Sequence, residues 1–66
     1  MSPTNIYHAL TDMFPGITVK KYRQHKLSMN TIWFMPESGA PMLFTYISPG
    51  NFCLRTELYS RKEKER

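Results

Sequence analysis

Few side chains in this chain are arranged for covalent or metal chemistry. His8 and Asp12 stand four residues apart, the spacing that puts two side chains on one face of a helix, and His25 is the only other imidazole. A zinc site would need three or four such ligands at recognisable intervals, and neither a HExxH nor a paired CxxC pattern is present. A solvated helix face accounts for His8 and Asp12 without a metal. Cys53 is the one thiol, and a nucleophile needs a base beside it. On a strand, a lone cysteine reads more simply as a small buried apolar residue. The three glycines are isolated in turns, so no glycine-rich loop cradles a phosphate. The expectation is a non-enzyme with no cofactor, no metal and no small-molecule substrate.

Charge is more informative than catalysis. Lys20, Lys21, Arg23 and Lys26 place four positive charges within positions 17–26, where no acid occurs. The stretch Arg61–Arg66 adds four positive and two negative charges, and Arg55 against Asp12, Glu37 and Glu57 contributes minus two. The net charge of +4 is therefore concentrated in two places. Tyr22 and His25 interleave with the first group. Lys20, Lys21, Tyr22, Arg23, His25 and Lys26 thus form a basic, partly aromatic strip of the kind that follows a phosphate backbone. The competing interpretation is an edge strand defended by lysine against edge-to-edge association. Four phosphate contacts on duplex DNA imply a slope of about −3.6 in log K against log salt. That corresponds to a loss of roughly 150-fold between 50 and 200 mM, so the strip alone binds weakly.

Periodicity supplies the elements that hold these residues. Ser2 followed by Pro3 is a helix opening: the serine oxygen accepts a backbone N–H, and proline at the first position removes a donor that lacks a partner anyway. Ile6, Ala9, Leu10, Met13 and Phe14 then recur at helical spacing, until Pro15-Gly16 stops the pattern. The spacing predicts a helix over residues 3–14. Segments 17–23, 29–35, 42–48 and 52–59 are rich in β-branched and aromatic residues or begin so. Turn chemistry separates the last three: Pro36-Glu37-Ser38-Gly39-Ala40-Pro41, then Ser48-Pro49-Gly50-Asn51. Short connections imply antiparallel neighbours. The expected fold is α+β, an amino-terminal helix on one face of a four-stranded, mostly antiparallel sheet, in an α-β-β-β-β meander. Residues 1–60 read as one domain and 61–66 as a charged tail.

One helix covers one face of such a sheet. The middle strands are apolar at both parities, so Trp33, Met35 and either Tyr46 or Ile47 are expected on an uncovered face. Trp33, Met35 and Tyr46 are accordingly the candidate protein-contact residues. Aromatics there could also stack on bases, although no RNP pattern is present. An uncovered apolar face on so small a protein favours a protein partner or a homodimer.

Size sets the outer bounds. Sixty-six residues allow one domain and exclude a multidomain enzyme, a dinucleotide-binding fold or a TIM barrel. At 41% hydrophobic and 21% charged the composition is globular, not disordered. With one cysteine no intrachain disulfide forms, which points to a reducing interior and a cytoplasmic location. The longest aliphatic and aromatic run, Ile32-Trp33-Phe34-Met35, is far short of a bilayer span, and the amino terminus does not resemble a signal peptide. No membrane partner is expected. Taken together, these features predict a small binding module that regulates or inhibits a macromolecule through the basic strip, the open sheet face, or both. The alternative is an inhibitor or adaptor of the phage or mobile-element type that acts by protein contact alone.

Overall fold

The computed structural model describes residues 2–57. It contains one helix, α1 (Pro3–Met13), followed by four strands: β1 (Val19–Gln24), β2 (Thr31–Pro36), β3 (Met42–Ser48) and β4 (Asn51–Thr56). The strands form one open antiparallel sheet in the order β1-β2-β3-β4, so the chain is an α+β meander. Residues Leu58 and Tyr59, expected in the last strand, and the expected tail 61–66 lie outside the described residues.

Helix α1 begins as its sequence requires. The Ser2 side chain accepts from the Asn5 backbone N–H at 3.2 Å, and Pro3 occupies the first turn. At the other end the Phe14 N–H still reaches Leu10 O at 2.8 Å before Pro15 ends the ladder. Ile6 and Leu10 are fully buried against Ile32, Phe34 and Phe44 from the two central strands. Met13, Phe14 and Ala9 pack around that nucleus, together with Tyr7. Phe14 meets the Phe44 and Phe52 rings edge-on, with centroids 6.4 and 5.9 Å away. These are the side chains whose removal from water drives the fold.

Two irregularities decide which residues face the helix. In β1 the register slips between Val19, opposite Pro36, and Lys21, opposite Met35. This bulge carries Lys20, and it lets both Val19 and Tyr22 pack towards the core although they are three residues apart. Strict alternation through this stretch is therefore broken at a lysine. In β3 a second slip falls between Tyr46 and Ser48 and leaves Ile47 exposed. Tyr46 sits opposite Phe52, stacks on Phe44 at 5.9 Å and packs against the core cluster. The expectation of Tyr46 on the uncovered face is thus corrected: β3 is apolar at both parities, and register alone separates Tyr46 from its neighbour.

Candidate functional site

The face of the sheet turned away from α1 is ordered by strand register. Arg23 lies opposite Trp33, Trp33 opposite Leu43, and Leu43 opposite Arg55, so one row of partners crosses all four strands. Directly paired residues project to the same side. Beside this row, Lys21 pairs with Met35, and Thr31, Thr45 and Cys53 form the next line. Trp33 and Met35 therefore occupy the open face, as their parity predicts.

That face is not bare. The Arg23 guanidinium carbon is 4.8 Å from the centroid of the Trp33 ring, and Lys21 Nζ is 5.8 Å away. Both lie within cation–π range, where the negative ring face attracts a cation. The Trp33 Nε1–H donates to the Glu57 carboxylate, which follows the end of β4. Trp33 is half-buried beneath these long charged side chains, and Leu43, between Trp33 and Arg55 in the row, is only 4% exposed. The need for a second protein chain to shield Trp33, which the count of helices implied, is met in part by the chain's own Lys21, Arg23 and Glu57.

The basic strip divides into members with different surroundings. Lys20, Lys21, Arg23 and Lys26 are exposed. Tyr22 points the other way: its ring stacks on Tyr7 at 4.4 Å with an interplanar angle of 6°, and its hydroxyl reaches Thr4 Oγ1 at 3.5 Å. It fastens α1 to β1 and is not interleaved with the cations, a correction to its place in the strip. His25 is half-buried at the start of the β1–β2 turn, where Nδ1 accepts from the Leu27 N–H at 3.1 Å.

The other side chains with chemical potential lie apart from these residues. Cys53 is an exposed free thiol, not the buried small residue its strand position suggested, because β4 is an edge strand and its odd-numbered side chains lie on the open face. His8 and Asp12 are both exposed on α1, with the imidazole tilted against Tyr7. Among the described residues no three His, Cys, Asp or Glu side chains converge on a metal position. A shallow cleft of about 350 Å³ opens where the α1–β1 and β2–β3 connections meet, and Glu37 is the one ionisable side chain in its lining. No helix among the described residues is long and apolar enough to cross a membrane.

Alternation in the last strand places Glu57 on this face with Cys53 and Arg55, but its hydrogen bond to Trp33 was not read from the sequence. Glu57 follows β4, and its link to Trp33 joins residues 24 positions apart. Compared with known proteins, the chain matches no family model, no curated protein and no solved structure.

Proposed function

We propose that this chain is a non-catalytic binding module whose open sheet face engages nucleic acid and, by occupying it, regulates or inhibits a macromolecular process. The observation that carries this reading is the position of Lys21 and Arg23 over Trp33. Two members of the strip, Lys21 and Arg23, share a surface with the aromatic face, although the sequence presents strip and face as separate features.

Such a surface suits an anionic polymer better than an apolar one. Phosphates attract Lys20, Lys21, Arg23 and Lys26, and a phosphate that draws Arg23 aside uncovers the Trp33 ring for a base to stack on. An apolar partner would have to strip water from these cations and return little for it. The alternative, an inhibitor or adaptor acting only through protein contact, draws on Met35 and Leu43 beside Trp33. Both are at most half-exposed, which leaves that reading little uncovered apolar area on the open face itself.

The test is direct binding of labelled single-stranded and duplex oligonucleotides between 50 and 200 mM salt. Nucleic-acid recognition requires an affinity that falls steeply with salt, by roughly 150-fold over that range if four phosphates are contacted. An affinity indifferent to salt, or no binding to either oligonucleotide, overturns the proposal.

A further inference from the structure

Among the described residues, the large apolar side chains left in water are gathered at one end of the sheet. Leu27 is 75% exposed and Met29 74% exposed, both in the β1–β2 turn. Ile47 and Phe52, at 56% and 42%, flank the β3–β4 turn at the same end. The β1–β2 turn is firmly tied. Gln24 Nε2 donates to the carbonyls of Ser28 and Thr31 at 2.7 and 3.1 Å, and the His25 N–H to Thr31 O at 2.9 Å. Ser28 Oγ accepts from the Asn30 N–H at 3.3 Å and from Thr31 Oγ1 at 3.0 Å, while the Tyr46 N–H binds Asn30 O at 2.9 Å. A turn held this way cannot easily fold its apolar side chains back onto the protein. Leu27 and Met29 are presented outward on a rigid mount, so little ordering remains to be done on binding.

The charge around the turn says what it meets. No acid occurs between Asp12 and Glu37, and Lys26 and Arg23 flank the turn on its β1 side. The acids belonging to the sheet, Glu37 and Glu57, follow β2 and β4 at the opposite end. An apolar tip set among cations complements a ligand whose apolar interior lies between rails of negative charge. A base-pair step beneath two phosphate backbones has that chemistry. Leucine and methionine are among the side chains able to enter such a step from the minor groove and unstack it.

We propose that the β1–β2 turn is a wedge, with Leu27 and Met29 inserting at a base step of duplex nucleic acid while Lys26 and Arg23 hold the flanking phosphates. This deepens and rests on the nucleic-acid reading of the open face. It specifies a duplex, and it specifies deformation. Pyrimidine–purine steps, which unstack most cheaply, are the preferred entry points.

The experiment uses the full chain and a 20-base-pair duplex carrying 2-aminopurine at a central TA step, with a fluorescein label for anisotropy. The wedge predicts that wild-type protein raises 2-aminopurine emission at least twofold at saturation. Leu27→Ser/Met29→Ser, both exposed, should bind the duplex more weakly by anisotropy and, at a concentration that saturates it, leave the emission at the free-duplex level; emission raised as by wild type overturns the wedge. Circular dichroism checks that the variant is folded. If wild-type protein binds the duplex with unchanged 2-aminopurine emission, or binds only single strands, the wedge is overturned and the open-face reading survives. If neither form is bound, both readings fall. Sedimentation with phosphatidylglycerol vesicles, dependent on Leu27 and Met29, in place of duplex binding would assign the tip to a lipid surface and overturn the wedge.

Discussion

Arg23 and Trp33 are direct partners across β1 and β2, and the guanidinium lies over the indole with its carbon 4.8 Å from the ring centroid. Lys21 approaches the same ring, and Glu57 takes the indole N–H. The pairing explains how a tryptophan can stand on the sheet face opposite the helix without leaving its whole surface in water. Each cation–π contact at such a site is worth about 0.5–1 kcal/mol, enough to bias the long side chains and not enough to lock them. A phosphate can therefore draw Arg23 away at modest cost.

Replacing Lys21 and Arg23 by Gln should uncover the indole. Acrylamide quenching of Trp33 should rise by about half or more and its emission should shift to the red, with far-ultraviolet circular dichroism unchanged. Trp33 is the chain's single tryptophan, so the signal has one source. Identical quenching in variant and parent would mean that the cations do not cover the ring in solution.

Leu10→Ala should destabilise the fold by about 2–5 kcal/mol, the range for a leucine removed from a closed core. Leu10 is fully buried between α1 and the central strands. Domains of this size hold only roughly 3–10 kcal/mol in total, so much of the variant population should be unfolded. Leu27→Ala, in the exposed turn, should stay within about 0.5 kcal/mol of the parent. Urea midpoints read both, and equal midpoints would contradict the placement of the helix.

Tyr22→Phe should keep both fold and nucleic-acid affinity, since it gives up only the long hydroxyl contact to Thr4. Tyr22→Ala removes the ring stacked on Tyr7 and should lower stability by about 2 kcal/mol. A large loss of binding in a stably folded Tyr22→Phe variant would return this residue to the binding strip.

The architecture was legible because its signals agree. Ser2-Pro3 opens the helix, Pro15-Gly16 follows its end, and the turn residues mark the hairpins, each for a local steric or hydrogen-bonding reason. Faces were harder to read. Ile32 and Phe34 could be set apart from Trp33 and Met35 because the helix covers one side only. Tyr46 and Ile47 are both apolar, and the slip beside them left no pattern to choose by. The bulge at Lys20 inserts a residue where alternation would have been counted, and nothing in the neighbouring side chains announces it. The meeting of Arg23, Trp33 and Glu57 depends on register across separate hairpins, and Trp33 and Glu57 are 24 positions apart. Composition shows that a basic segment and an aromatic segment exist, and only pairing shows that they share a face.

The central claim is that the exposed cations of β1 and the turn after it, two of them over Trp33, bind nucleic acid. Its most direct test compares the parent with a variant in which Lys20, Lys21, Arg23 and Lys26 are all Gln, titrating a labelled oligonucleotide at several salt concentrations. The account predicts a slope of about −3.6 in log K against log salt on duplex DNA for the parent, with binding abolished in a variant that remains folded. Equal affinity and equal slope in the two proteins would contradict it.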